Sequence, residues 1–174
     1  NVGLLKHAAN VFGSAIHIEE IFTEAGVPEG VFQNLIVHHD KIEKVLENPV
    51  IKAVTLTGSE RAGSAVAATA GKNIKKSLLE LGGSNAFVVL NDADIDKATD
   101  IAVTARFMNS GQSCIAAKRF IVLEEVYAEF VEKFTAKVTK LKSGDPMAED
   151  SKIGTLSRSD FADSLNKQVQ DSVK

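Results

Sequence analysis

The one cysteine of the chain, Cys114, closes the segment Phe107-Met108-Asn109-Ser110-Gly111-Gln112-Ser113-Cys114. Glycine and polar residues break a helical pattern there, which predicts a tight bend carrying the sulfur. A thiolate so held is a nucleophile; the alternative is a small core residue. Glu80 lies in Leu78-Leu79-Glu80-Leu81-Gly82-Gly83, a charge inside an apolar run that ends in two glycines. That placement predicts a carboxylate that is buried and perturbed, or aimed into a cleft, as a general base requires. A carboxylate paired with a lysine is the alternative. Thr57-Gly58-Ser59 ends a β-rich run at the start of a helical one. Free backbone N–H groups and the helix dipole favour an anion at such a point, and Ser59 adds a hydroxyl. An ordinary N-cap serine would look the same.

The common nucleotide fingerprints are absent. No G-x-G-x-x-G occurs, and Gly58 to Gly63 has G-x-x-x-x-G spacing but is followed by Ser64-Ala65, where a P-loop needs Lys then Ser or Thr. His7 and His17 fall at a strand end and on a helix, and no histidine pair has metal-ligand spacing, so no metal is expected. The lysines at 72, 75 and 76, and at 137, 140 and 142, read as solvated faces.

The elements that must position these residues follow from periodicity. Val2 to Leu5 predicts a strand, and Val11, Ala15, Ile18, Phe22 and Ala25 predict a helix ending at Gly26. Val31 to Val37 predicts a second strand, and Asp40 a cap for a helix carrying Ile42, Val45 and Leu46. Ala53 to Thr57 reads as a strand and Glu60 to Ala70 as a small-residue helix closed by Gly71. A boundary near Gly82 divides the chain into 1–82 and 83–174. Beyond it Ala86 to Leu90 reads as a strand, and Asn91 or Asp92 starts a helix carrying Ile95, Ala98, Ile101 and Ala105. Arg119 to Leu123 reads as another strand, and Val126, Phe130, Phe134, Val138 and Leu141 form the buried stripe of a long helix. This alternation predicts an α/β fold with a parallel sheet, whose ligands sit outside the carboxyl ends of the strands.

The chain has 174 residues, 44% apolar and 25% charged, close to globular averages, which argues against disorder. Lys plus Arg is 20 against 23 Asp plus Glu, a net charge of −3, and no basic block follows a phosphate backbone; no nucleic acid partner is expected. No apolar run reaches a membrane span and the start lacks signal-peptide features, so a soluble protein is expected. A single cysteine excludes an internal disulfide and fits a reducing, cytoplasmic setting. The start at Asn1 without Met, and the stop at Lys174 inside a polar helical pattern, suggest part of a longer polypeptide.

Together these residues are more specific than singly. Leu-Glu-Leu-Gly-Gly, followed 34 residues after Glu80 by the cysteine of Gly-Gln-Ser-Cys, resembles the aldehyde dehydrogenase family. Further matches are Leu5-Lys6, Ala25 to Val31, Thr57-Gly58-Ser59 with Gly63, Arg119, and Gly144-Asp145-Pro146, so the resemblance covers essentially the whole chain. It implies a Rossmann-like parallel sheet with helices on both faces over 1–82, the C-terminal part of an NAD(P)-binding domain. The first part of a second α/β, catalytic domain would follow over 83–174. It implies Cys114 as nucleophile and Glu80 as general base in oxidation of a small-molecule aldehyde. Lys6, Ala9, His38, Gly58, Ser59, Gly63, Leu81 and Gly82 are the implied NADP or NAD positions.

Within the family, Leu5-Lys6-His7-Ala8, Leu90-Asn91-Asp92-Ala93-Asp94 and Ala116-Ala117-Lys118-Arg119 look most like bacterial succinate-semialdehyde dehydrogenases. Three positions depart from the pattern. Met108 stands where many of that group have an arginine able to bind a substrate carboxylate, and Arg106 would project differently if the helix continued. Thr155 replaces a usual proline. Ala9 stands where NAD-selective relatives often carry a glutamate for the ribose hydroxyls, so a 2′-phosphate is not repelled and Lys6, His38 and His39 could neutralise it. NADP is therefore expected at least as readily as NAD.

The resemblance also implies a homodimer or homotetramer for the full-length protein. It implies an oxyanion-stabilising asparagine ahead of Asn1 and a ribose-binding glutamate beyond Lys174, so these 174 residues alone are expected to lack turnover. Three other readings stay open: a non-catalytic dinucleotide-binding or structural member of the fold, a cofactor-independent thiol esterase, and a CoA-acylating dehydrogenase, the last disfavoured by Glu80.

Overall fold

The computed structural model describes residues 1–174, which divide into two compact units, Asn1–Leu81 and Gly82–Lys174. In the first unit, β1 (Gly3–Leu5) leads through a 3-10 turn into α1 (Phe12–Glu24), and β2 (Phe32–Asn34) pairs parallel with β1. Gly26 follows α1 at φ 81°, a left-handed conformation that favours glycine and turns the chain back. Phe22 of α1 stacks on Phe32 of β2 with ring centroids 4.4 Å apart. Asn34 fixes the same pair of elements: its side-chain amide donates to the Ala15 carbonyl at 2.5 Å and to Glu19 Oε2 at 2.9 Å.

Beyond β2 come α2 (Ile42–Glu47), β3 (Ala53–Thr57), α3 (Glu60–Lys72) and β4 (Lys76–Glu80). β3 and β4 run parallel in register from Ala53 opposite Lys76 to Thr57 opposite Glu80. α3 buries Gly63 and Ala70, so its small residues let the helix approach closely. Lys75 Nζ donates to the carbonyls of Leu46 and Asn48, tying the entry to β4 to the end of α2.

The second unit pairs β5 (Asn85–Val89) parallel with β6 (Ala117–Val122), joined by α4 (Ile95–Phe107) and a 3-10 turn over Met108–Gly111. α5 (Glu124–Val138) packs on α4, and α6 (Ser159–Val173) follows. Its core is Val89, Ile95, Ala102 and Phe130, lined by Phe87, Phe120 and Phe134. Phe120 lies 5.6 Å from Phe87 and 5.0 Å from Phe134, centroid to centroid, in tilted pairs. Burying each such side chain stabilises by roughly 1.5–3 kcal/mol. From α5, Lys137 Nζ donates to Thr99 Oγ1 at 2.9 Å and to Asp100 Oδ1 at 2.5 Å, and Lys133 reaches Asp96 Oδ1 at 2.8 Å.

The α/β pattern with parallel pairing is present, in three separate two-stranded ladders instead of one continuous sheet. Several expectations about single elements need correction. β4 was not expected as a strand, because Glu80 interrupts its apolar run; the ladder to β3 supplies the order that alternation does not show. The second strand is confined to Phe32–Asn34. Asp40 caps nothing: its carboxylate lies 3.2 Å from His38 Nδ1 and 3.1 Å from Lys41 Nζ. α3 runs through Gly71 and is closed by Asn73. α4 starts after Asp94, whose carboxylate accepts from the Lys97 N–H at 3.1 Å, so neither Asn91 nor Asp92 is the cap. Leu141 lies beyond the end of α5. Lys75 and Lys137, read as solvated, are spent on bonds between elements. No helix is long and apolar enough to cross a membrane.

Candidate active site

In the first unit the β3–α3 turn and the end of β4 assemble around one another. Ser59 is the N-cap of α3: its Oγ accepts from the Ala62 N–H at 3.2 Å and its carbonyl from the Gly63 N–H at 2.8 Å. The Ser59 hydroxyl is thus the ordinary cap, and its proton remains free to donate. The N–H groups of Glu60 and Arg61 sit in the first turn, where no preceding carbonyl is placed to accept them, and the helix dipole adds positive potential. The Gly58 N–H donates to the Glu80 carbonyl at 3.0 Å, which extends the β3/β4 ladder and fixes the turn to the glutamate. One turn into α3, a Cβ on Gly63 would stand 2.7 Å from Leu81 Cδ2 and 3.2 Å from Cδ1. Any larger residue there would make the end of the Leu81 side chain shift. Gly58, Ser59, Gly63, Glu80 and Leu81 therefore form one assembly, with an anion-accepting helix end that fits a dinucleotide pyrophosphate.

Glu80 itself is exposed, which removes the buried alternative and leaves that of a carboxylate aimed into a cleft. It ends β4 opposite Thr57 of β3, and the ladder has no strand on the other side of β4. The lysine-paired alternative finds no partner nearby in sequence: Lys72 lies 3.8 Å from Glu47, and Lys75 is held by two carbonyls.

Lys6 and Ala9 follow the carboxyl end of β1, and His38 follows that of β2. Parallel pairing brings both strand exits to one edge, where the Leu35 N–H donates to the Leu5 carbonyl at 2.8 Å. Lys6 is half-buried directly after β1, and Ala9, exposed, opens the 3-10 turn. His38 and His39 lie with ring centroids 4.0 Å apart. Asp40 stands beside them, and the hydrogen bond from Lys41 holds its carboxyl below the usual aspartate range. The histidine pair thus comes with its own carboxylate, a neighbour the sequence argument did not weigh. Lys6 is the cation at this edge without an ion-pair partner.

In the second unit Cys114 is exposed on the loop between α4 and β6. Asn109, Ser110 and Gly111 occupy left-handed backbone in succession, at φ 52°, 56° and 77°, which stops α4 and bends the chain toward the cysteine. Lys118 Nζ donates to the Cys114 carbonyl at 3.0 Å, and the Ala116 N–H to the Ser113 carbonyl at 3.2 Å. The Cys114 N–H donates to no protein acceptor, so it is free to serve an oxyanion. Gly83 lies against the same loop, since a Cβ there would sit 3.4 Å from the Cys114 carbonyl. The Arg119 Nε donates to the Ser84 carbonyl at 3.0 Å, holding the segment after Gly83 against β6.

Three residues that hold this loop were not singled out for that role by sequence. Arg106 bonds the Gly111 and Ala117 carbonyls, Ser110 Oγ accepts from the Gly154 N–H at 2.8 Å, and Lys118 is described above. Arg106 was considered only as a substitute carboxylate binder; its guanidinium is already engaged with the backbone. Met108 is exposed, as a residue facing away from the core.

These features agree with the similarity to known proteins. The model of the aldehyde dehydrogenase family matches residues 1–174, and the chain belongs to that family. Two relatives are named NADP(+) succinate-semialdehyde dehydrogenases, from Mycobacterium avium (strain 104), 50% identical over 173 residues, and Mycobacterium ulcerans, 48% identical over 171 residues. The match covers 99% and 98% of this chain and 37% of each relative, so the chain spans somewhat over a third of their length. Among solved structures, succinic semialdehyde dehydrogenase from Streptococcus pyogenes in complex with NADP+ is similar at 40% identity and a TM-score of 0.92, over 96% of this chain and 37% of that one. The structure of Gox0499 gives 43% identity and a TM-score of 0.96, over 99% of this chain and 38% of that one.

Proposed function

We propose that the full-length gene product oxidises an aldehyde, succinate semialdehyde foremost, to its carboxylate with NADP+ or NAD+. The observation that carries this is Cys114, exposed on the loop that follows the left-handed bend at 109–111, with its own backbone N–H unused. The thiolate of Cys114 adds to the aldehyde carbon, forming a C–S bond and a thiohemiacetal oxyanion that accepts from the Cys114 N–H. When bound, the nicotinamide supplies the two-electron acceptor for the aldehyde C–H bond. Loss of that bond leaves a thioester on Cys114. Glu80 then takes a proton from water, the resulting hydroxide adds to the thioester carbon, and the Cys114 thiolate departs, releasing the carboxylate. Exposure of Glu80 within its unit leaves the carboxylate free to meet water.

For the cofactor, the N-terminus of α3 with Ser59 and Gly58 would hold the pyrophosphate, and Lys6 the adenosine ribose. Gly63, Leu81 and Gly82 shape the strand exit beside it. Ala9 presents no carboxylate, so a 2′-phosphate meets Lys6 without repulsion, which supports NADP at least as readily as NAD. His38 is a weaker contributor because Asp40 partners it. The substrate assignment is supported by the names of the relatives, since neither Met108 nor Arg106 offers a free carboxylate-binding arginine. Domains over 1–82 and 83–174, a homodimer or homotetramer, and a cytoplasmic location complete this reading; a nucleophilic thiol without a disulfide partner suits a reducing compartment.

The test is reduced-cofactor formation by the full-length gene product with succinate semialdehyde and NADP+ or NAD+, alongside Cys114→Ser. Cysteine-dependent turnover is expected. Turnover in Cys114→Ser, or ester hydrolysis without cofactor as the sole activity, would contradict it.

A further inference from the structure

We propose that Arg106 is a positioning residue for Cys114, fixing the loop that carries the thiol by bracketing it between two backbone carbonyls. This rests on the assignment of Cys114 as the nucleophile. Arg106 lies half-buried in the last turn of α4. Its Nη1 donates to the Ala117 carbonyl at 2.8 Å and its Nη2 to the Gly111 carbonyl at 2.6 Å. Those two carbonyls flank residues 112–116, with Cys114 at the centre. A planar guanidinium holds two acceptors at one fixed separation, which the point charge of a lysine does not.

The bend entering the loop needs such a hold. Asn109 and Ser110 are both left-handed, a backbone that side chains other than glycine rarely adopt and that persists where surroundings enforce it. Gly111 follows, and a Cβ there would stand 2.7 Å from Arg106 Nη2 and 3.3 Å from the Arg106 carbonyl. The space between bend and guanidinium is therefore filled. On the far side Ser110 is bonded to the Gly154 N–H, so the bend is gripped from two directions. Ala117, where the loop re-enters β6, is buried and does not move freely. With both ends fixed, the direction of the Cys114 N–H and sulfur is set by the bracket. A displacement of about 1 Å at reacting atoms costs on the order of a hundredfold in rate.

The experiment uses the full-length gene product with Arg106→Met and Arg106→Lys, and Cys114→Ser in parallel. The single-turnover rate of cofactor reduction, kcat, aldehyde KM, cofactor Kd by fluorescence titration and the rate of Cys114 alkylation by iodoacetamide are measured. Arg106→Met is expected to lower the single-turnover rate and kcat by roughly tenfold to a hundredfold, with KM and cofactor Kd changed by less than about threefold. Arg106→Lys, restoring one bond of two, is expected to fall between, and alkylation to slow in the same order. A single-turnover rate within about twofold of the wild type in Arg106→Met would overturn the proposal, as would an equal loss of cofactor affinity. Should Arg106→Met not fold, Arg106→Lys decides by the same rates. Full turnover in Cys114→Ser would remove the nucleophile assignment itself; an inactive Cys114→Ser with an unimpaired Arg106→Met removes only the role of Arg106.

Discussion

In the proposed reaction Glu80 and Cys114 serve different halves, so their variants separate the two. Glu80→Gln should leave thioester formation intact and slow its hydrolysis. A burst of one reduced cofactor per subunit should then precede steady turnover reduced by about 10²-fold or more. Stopped-flow absorbance at the reduced nicotinamide band reads both phases, and an unchanged steady rate would take the base away from Glu80. Ala9→Glu introduces a carboxylate at the edge where Lys6 stands. The NADP to NAD ratio of kcat/KM should fall by about tenfold, equivalent to ~1.4 kcal/mol. An unchanged ratio in steady-state kinetics would show that Ala9 does not govern the choice. The residues proposed for this chemistry were legible in sequence because a lone cysteine on a glycine-broken segment and a charge in an apolar run are both unusual. Arg106 was not, since a helix-terminal arginine looks solvated until the bend at Asn109 and Ser110 folds back over it.

At the scale of elements, Gly63 of α3 lies directly against the Leu81 side chain that follows β4. Gly63→Ala gains up to about 1 kcal/mol of helix propensity. The added Cβ would stand 2.7 Å from Leu81 Cδ2, so the end of the half-buried Leu81 side chain must shift, which offsets part of that gain. Gly63→Ala is expected within about 1 kcal/mol of the wild type in urea unfolding, and more stabilising in a Leu81→Ala background, where no side chain must shift. In the second unit the α4–α5 contact is laced by Lys133 and Asp96. The hydrogen bond from Lys133 lowers the Asp96 carboxyl below its ordinary value, and the same bond raises the Lys133 ammonium. A lowered folded value means that the aspartate contributes stability above its unfolded pKa and loses it as pH falls through the folded one. The raised lysine contributes up to its ordinary alkaline value and loses that only above it. The Tm difference between wild type and Asp96→Asn should therefore be full at neutral pH, begin to shrink near about pH 4 and vanish only below the lowered folded value, as followed by circular dichroism. A difference that persists in acid would contradict the pairing. The helices were legible because their apolar stripes repeat; β4 was hidden, since only a neighbouring strand distinguishes an interrupted apolar run from a loop.

At the scale of the molecule, each unit holds one of the two residues proposed to react: Glu80 at the end of β4 and Cys114 just ahead of β6. Parallel pairing was legible from the alternation of strand and helix, whereas the division into three ladders was not. Strand order depends on which edges find partners, and periodicity along a chain does not record that. The chain spans 37% of its curated relatives, so the reaction is to be tested in the full-length gene product. The most direct measurement is a peptide mass map of Glu80→Gln, quenched during turnover with succinate semialdehyde and NADP+. An acyl adduct on the peptide bearing Cys114, absent when Cys114→Ser is added, is the predicted result. Reduced cofactor accumulating with the acyl group on another residue, or with no acyl-enzyme in either protein, would contradict the assignment of Cys114 as the nucleophile.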